Sequence, residues 1–552
     1  MKLLILGGYG VFGGRLAQLL AGADLQILIA GRKLAKAQGF AALHPGTEPI
    51  KADRATVAET LRIYHPDILV DASSPFQTYG TDPYSVLRAC IDSHTNYLDF
   101  ADGADFVNGV GQFDAEARAA RIFALSGVSS FPVLAAAVLR EMAKTMEIEE
   151  VTGGIAPSPH AGVGLNVLRA VLGYAGQPVN LIRNGQPTIA RGLAETLRYT
   201  VAPPGALPLH NALFSLVDVP DLRAIPAALP QIRSLWMGAG PLPEPLHRLL
   251  ITLAKLPLPN LAPIAPLAYK VLNALTYGEH RGGVFIEEKG TAQGQPVTRS
   301  WHMLAEGDDG PLIPSMATCA LIRQTRAGHP PAPGARSGID ALSLHDYETL
   351  FQSRAITTGW RDAPQGSIYQ QVLGPAFASL APQLQALHRP GPRAEWAGRA
   401  KVTRGKPRLA NLVATLFSFP KAGDDIPVSV TFLTAPDRRE TWGRNFAGRL
   451  MVSTQEAGTR RNQHLITERF GPFAFGLAIV CDAEKLRIIP RRWSVFGLPL
   501  PRALMPRGDS HETEADGRFH FHVEIALPLI GPVVTYDGWL EPTAVFQNPD
   551  IM

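Results

Sequence analysis

Apolar residues along the first part of the chain fall into two alternating rhythms. Leu3 to Leu6 is a short unbroken apolar run that leads into Gly8-x-Gly10-x-x-Gly13, and Leu16, Leu19 and Leu20 then recur at helical spacing. A second run, Leu25 to Ala30, ends at Gly31-Arg32-Lys33. A third, Pro66 to Ala72, is nearly continuous, as expected of a parallel strand buried on both faces. Helix is predicted over Tyr84–Ser93, strand over Asn96–Phe100 and Ile122–Leu125, and a strong helix from Pro132 through Met142. Such alternation over about 145 residues predicts a doubly wound α/β domain.

From Glu149 the rhythm changes. Strand-like stretches at Val151–Ile155, Gly283–Lys289 and Thr298–Ala305 alternate with helices at Gly164–Tyr174, Pro314–Ala327 and Ser343–Phe351. Gly307-Asp308-Asp309-Gly310-Pro311 reads as a tight turn, and the Pro-rich residues 329–335 as a linker or surface excursion. After residue 362 the pattern becomes that of a separate β-rich domain, several antiparallel strands around one or two helices. Phe519, Phe521, Val523 and Ile525 share one strand face there, and Trp396, Trp442, Trp493 and Trp539 fall near predicted strand ends and turns. The fold class is therefore α/β: a Rossmann domain (1–130), an α+β mixed-sheet substrate domain (131–362) whose end can pack back on the first, and a β-rich domain (363–552).

The glycine motif carries chemistry because of its context. Between strand and helix, Gly8 permits the tight turn, Gly10 lets a pyrophosphate approach the backbone, and Gly13 lets the helix pack closely. The helix N-terminus then offers unpaired N–H groups and a positive dipole end to the phosphates. An NAD site usually places an acid about 20 residues beyond the glycines. No acid lies between Gln26 and Lys33, and Arg32 stands there instead, suited to fork onto a 2′-phosphate. NADP is thus favoured over NAD. Ser73 lies in the loop at the carboxyl end of the third run, where Rossmann ligands sit. Asp53 is a candidate partner for adenine. Tyr97 and Asp99 point the same way from their strand, Tyr97 as a candidate acid and Asp99 as a candidate for positioning substrate or ribose; the competing reading makes Tyr97 a half-buried structural tyrosine.

Composition narrows the picture. A net charge of +4 on 552 residues gives no argument for nucleic acid. Three scattered cysteines exclude a disulfide scaffold or a cysteine zinc cluster, His520, His522 and Glu524 read as a solvated strand face, and no metal site is expected. The chain opens on a strand with no signal-peptide cleavage pattern, so a cytoplasmic location is expected. Leu249–Leu275 is dense in Leu, Ala, Ile and Pro, and its four prolines make it a poor membrane span. It reads as a buried or capping segment, or alternatively as an apolar substrate mouth or a peripheral membrane contact.

The first 362 residues resemble the saccharopine dehydrogenase-like family of NAD(P)-dependent oxidoreductases. The signatures are Gly8-Tyr9-Gly10-Val11-Phe12-Gly13, Ala30-Gly31-Arg32, Val70 to Phe76, Tyr97-Leu98-Asp99, Gly127 to Pro132 and the Gly307–Pro311 turn. The last 190 residues resemble a domain of unknown function sometimes fused to such reductases. The resemblance implies that Tyr9, Val11 and Phe12 line the cofactor site with the glycines. It also implies that Pro75 and Phe76 sit against the nicotinamide, and that the substrate is a small molecule. Family members are often dimeric and act on C–N bonds of amino-acid adducts or on carbonyl or enoyl groups of lipid-like molecules. Here Ala101-Asp102-Gly103 replaces the Gly-Glu of many relatives, and no arginine cluster suited to several carboxylates is evident. An apolar carbonyl, imine or enoyl substrate is therefore expected. The alternative is a non-catalytic NADP-binding or sensing module with a C-terminal ligand-binding domain.

Overall fold

A computed structural model describes residues 1–73, 75–76, 80–162, 164–241, 243–256, 261–274 and 277–543. The chain forms two compact units: Met1–Leu197 with Ala212–Thr357, and Arg198–Asn211 with the residues from Thr358 onward.

The first unit holds a parallel sheet, a mixed sheet and the two-stranded hairpin Pro178–Arg183 with Gln186–Arg191. Strands β1 (Lys2–Leu6), β2 (Gln26–Gly31), β3 (Thr47–Lys51), β4 (Ile68–Asp71), β5 (Asn96–Asp99) and β6 (Phe123–Ser126) run parallel in the order 3-2-1-4-5-6, with helices α1 (Val11–Leu19), α2 (Leu34–Leu43), α3 (Val57–Tyr64) and α4 (Ser85–Asp92) as crossovers. β1 sits between β2 and β4 at the centre of the sheet, and Leu3, Leu4, Ile5 and Leu6, which point alternately to its two faces, are all fully buried. That is why its sequence is a continuous apolar run rather than an alternating one. A seventh strand, Gly334–Ser337, pairs in parallel with β6. The Pro-rich stretch read as a linker therefore delivers the chain back to the Rossmann sheet, its prolines placed before the strand where they remove no ladder hydrogen bond.

Within the first unit the second sheet has the strand order Ala212–Leu216, Ser234–Ala239, Glu147–Ala156, Arg281–Ala292, Gln295–Glu306. Its two longest strands form an antiparallel hairpin in unbroken register from Arg281↔Glu306 to Ala292↔Gln295. Over Leu249–Leu275 the chain forms helices Glu244–Ala254 and Ala265–Ala274; residues 257–260 and 275 lie outside the described set. Pro263 falls in the short 3-10 turn Ala262–Ile264, and Pro266 in the first turn of Ala265–Ala274, where proline is tolerated. The pair buries Ile251, Ala254 and Ala265 and exposes Leu249 and Leu267, so the segment is a cap with an apolar outer surface. No described helix is long and apolar enough to cross a membrane. Helix Leu344–Phe351 opens with a capping box, Ser343 accepting from the Asp346 N–H and Asp346 from the Ser343 N–H.

In the second unit the β-rich region is an antiparallel meander that closes on itself. Its ten strands are Arg393–Arg404, Gly423–Thr434, Glu440–Phe446, Arg449–Ala457, Ile466–Phe470, Phe473–Asp482, Lys485–Val495, Ser510–Ala515, Arg518–Leu527 and Gly531–Pro542. Each pairs with the next, and the last pairs with the first. Closure removes the edges of the sheet and encloses a cavity rather than a helix. Helix Arg408–Leu416 bridges the first two strands and packs on Gly531–Pro542. Trp396, Trp442, Trp493 and Trp539 lie within strands, not at turns as expected: the strands are longer than their local patterns suggested, and Trp396 and Trp442 anchor the barrel core.

Candidate cofactor site

The glycine turn is a backbone construction. Gly7 adopts φ +79°, and the Gly7 and Gly8 N–H groups both donate to Ala30 O, at 2.9 and 3.0 Å. A Cβ on Gly7 would stand 2.7 Å from Ala72 O, on Gly8 2.8 Å from Ile5 O, and on Gly13 2.7 Å from Gly7 O. These neighbours are backbone and cannot swing aside. Gly7 is the position sequence reasoning passed over; the doublet Gly7-Gly8 closing an apolar run was its only signal. Gly10 caps α1 without a side chain, leaving the first N–H groups of the helix open to a phosphate. Beside them, Val11 is 46% exposed and Phe12 stacks on Phe100 at 5.7 Å.

At the ends of β2 and β3 the adenosine side takes shape. Tyr9 lays its ring over Gly31, leaving no space for a Cβ there, and its hydroxyl accepts from the Lys33 N–H at 3.2 Å. Arg32 is exposed and makes no ion pair or hydrogen bond with the described residues. Asp53 commits one oxygen to a turn, accepting from the Ala55 and Thr56 N–H groups and the Thr56 hydroxyl at 3.0–3.2 Å.

At the ends of β4 and β5 the carboxylates organise loops. The buried Asp71 accepts from the Ser73 N–H at 2.9 Å and from the Ser73 hydroxyl, so Ser73 is held by its own strand end. Pro75 is half-buried. Phe76, expected against the nicotinamide, is 3% exposed and packs on Phe106 at 5.1 Å within the domain core. Tyr97 likewise lies wholly in that core. In a two-sided parallel sheet, residues at alternating positions both meet core, so sharing a face does not bring a side chain to the cleft.

Asp99 is different. Its Oδ1 accepts from the Gly127 N–H at 2.7 Å and the Ala101 N–H at 2.9 Å, pinning the loop after β6 to the end of β5. Burial pushes its pKa up to about 6, while those two N–H groups pull it back. It thus positions the Gly127–Ser129 loop, which Thr318 also holds through the Val128 carbonyl at 2.9 Å.

Opposite the first turn of α1, the second sheet contributes residues that no motif announced. Arg15 donates to Ala161 O at 3.3 Å. The neighbouring His160 contacts the His280 ring at 4.7 Å, and His280 lies 3.5 Å from Asp308. These lone histidines had no sequence signal, because the two strands that place them are more than a hundred residues apart. No group of three metal-ligating side chains occurs among the described residues. The glycine cradle and the uncommitted Arg32 fit a dinucleotide with a 2′-phosphate.

Residues 3–125 match the family model described as the saccharopine dehydrogenase NADP binding domain, in line with the resemblance read from the sequence, and residues 380–540 match that of a domain of unknown function, DUF4166. No curated protein matches the chain. Among solved structures, the chain is similar to apo saccharopine dehydrogenase (L-Glu forming) from Saccharomyces cerevisiae at 14% identity, over 65% of this chain and 99% of that one, with a TM-score of 0.48. It is also similar to the oxidoreductase ylbE from Lactococcus lactis (17% identity, 19% and 49% of the chains, TM-score 0.16). A third is UDP-glucose-4-epimerase from Stenotrophomonas maltophila (16%, 19% and 38%, TM-score 0.17). The chain spans about half or less of these last two.

Proposed function

We propose that this chain is an NADP-dependent oxidoreductase acting on a carbonyl, imine or enoyl group of an apolar small molecule. The observation that carries the reading is Arg32: an exposed guanidinium without an ion pair or hydrogen bond among the described residues, at the end of β2, where an NAD site would hold an acid. A forked guanidinium–phosphate contact accounts for roughly 1.5–3 kcal/mol, enough to select one dinucleotide over the other.

The nicotinamide, when bound, supplies or accepts the hydride. The chain's own residues bind and orient. The Gly7–Gly13 backbone and the α1 N-terminus hold the pyrophosphate, Arg32 holds the 2′-phosphate, and Asp99 fixes the loop that walls the cleft. With Tyr97 buried, the imidazoles of His160 and His280 are the groups we assign to carry a proton to the substrate oxygen or nitrogen. The apolar outer surface of helices Glu244–Ala254 and Ala265–Ala274 supports an apolar substrate. Burial of Tyr97 also favours a second reading, in which NADP is held without turnover.

Calorimetric titration with NADPH and NADH, beside Arg32→Ala, tests the cofactor assignment. Tighter NADPH binding, weakened about 10–100-fold in the variant with NADH binding unchanged, is expected. Equal binding of the two cofactors would overturn it. NADPH oxidation with candidate carbonyls and imines separates the two readings: turnover lowered by His160→Ala supports the reductase, and tight binding without turnover on any substrate class supports the second.

A further inference from the structure

The barrel of the second unit encloses a cavity of about 470 Å³, within the roughly 300–1,000 Å³ of small-molecule sites. Its wall is aromatic and aliphatic, with Phe432, Trp442, Phe446 and Phe519 among the lining residues. Tyr369 and Leu387, from the helices preceding the first strand, line it, as does Val413 of helix Arg408–Leu416. An ordinary core fills such space with side chains.

Polar residues also reach the lining, Arg444, Gln455, Glu468, Arg507 and Glu512 among them, and three of these belong to one network. Arg444 donates to Glu468 Oε1 at 3.1 Å, and the same oxygen accepts from the Ser453 hydroxyl at 2.8 Å and the Gln455 amide N–H at 3.2 Å. The charges cancel within the network. Two polar atoms around it remain unused. Tyr536 lines the cavity at 8% exposure, and its hydroxyl has no hydrogen-bond partner among the described residues. Burial pushes that phenol up to about 12, so it stays protonated and can donate. Gln455 is 3% exposed, its amide nitrogen is fixed by Glu468, and its Oε1 is left as a buried acceptor without a partner among the described residues. A buried polar group without a partner is unfavourable by about 1–3 kcal/mol.

We propose that the barrel lumen is a binding site for a neutral, long apolar molecule bearing a hydroxyl group, a long-chain alcohol by class. The alkyl chain lies along the aromatic wall, and the hydroxyl accepts from Tyr536 and donates to Gln455 Oε1. Beside Tyr536 and Gln455 a carboxylate is disfavoured, because Arg444 is already neutralised and a second anion near buried Glu468 would face like charge; Arg507, the other arginine of the lining, is exposed. The proposal is independent of the reductase reading.

The test is displacement of the neutral dye Nile red from the full-length protein, without nucleotide, by hexadecanol, hexadecanoate and hexadecane. Hexadecanol is expected to displace at a concentration at least ten-fold below that of either competitor. Tyr536→Phe should raise the hexadecanol requirement roughly three- to ten-fold, the loss of one hydrogen bond, and leave hexadecane unchanged. Tighter binding of hexadecanoate, no displacement by any of the three, or an unaltered alcohol preference in Tyr536→Phe would each overturn the proposal. The comparison of three ligands on the unaltered protein needs no variant to fold, and NADPH titration of the same sample keeps the outcome separate from the cofactor reading.

Discussion

The cofactor cradle and the barrel lumen are built from opposite materials. The cradle is backbone: its shape depends on missing side chains, and its donors are main-chain N–H groups within seven consecutive residues. The lumen is lined by side chains of nine strands and three helices, spread from Tyr369 to Leu540. One is therefore intolerant of an added atom and the other of a removed one. A site made of glycines recognises what every member of a ligand class shares, here a pyrophosphate. A site made of aromatic rings with a spare hydroxyl and a spare amide oxygen selects by volume and two polar contacts.

The strongest way to break this contrast is Gly13→Val. Its Cβ meets Gly7 O and the Gly8 backbone, so NADPH affinity should fall more than a hundred-fold, read by calorimetry, with Nile red binding by the barrel retained. The mirror experiment is Phe432→Ala. Deleting this fully buried ring should destabilise the barrel by about 3–5 kcal/mol in chemical denaturation while NADPH titration is unchanged. Asp99→Ala probes a place where a side chain supports the cradle. Leaving the Gly127 and Ala101 N–H groups without an acceptor should lower stability by about 2 kcal/mol and weaken NADPH binding several-fold.

Asp221→Asn sharpens the comparison by pH. Asp221 begins helix Asp221–Ala228, fully buried, with neither carboxyl oxygen partnered among the described residues, and burial raises its pKa to about 8. The folded state then binds the proton more tightly than the unfolded chain, whose value is about 3.9. Its stabilising contribution is full below about pH 4 and is lost as pH rises through about 8. The amide should therefore gain stability over the unaltered protein progressively across that window, by about 1–3 kcal/mol at its upper end, as read by thermal melts at several pH values. The smallest effect expected is Ser343→Ala, about 1 kcal/mol from loss of the capping box.

Features encoded locally were legible in the sequence. Leu3–Leu6 with the glycines, Arg32, the helix over Ser343–Phe351 and the strict alternation of Phe519–Ile525 each sit within a few residues, where period and turn chemistry act. What escaped depends on distant chain segments. Tyr97 and Phe76 occupy motif positions, yet burial on both sides of the sheet takes them inward. His160 and His280 meet only because two strands are neighbours in the second sheet. Closure of the barrel rests on the pairing of Arg393–Arg404 with Gly531–Pro542, which no local pattern announces.

The strand Gly334–Ser337 carries a consequence for synthesis. Its partner β6 leaves the ribosome roughly 200 residues earlier, an interval of about 10–40 s at about 5–20 residues per second. Throughout that time β6 is an open edge on an otherwise assembled parallel sheet, a template for any other nascent strand. The nascent first unit is thus most vulnerable to aggregation before its last strand arrives, and slowing translation just upstream of Gly334 would lengthen that exposure without changing a single residue of the finished protein.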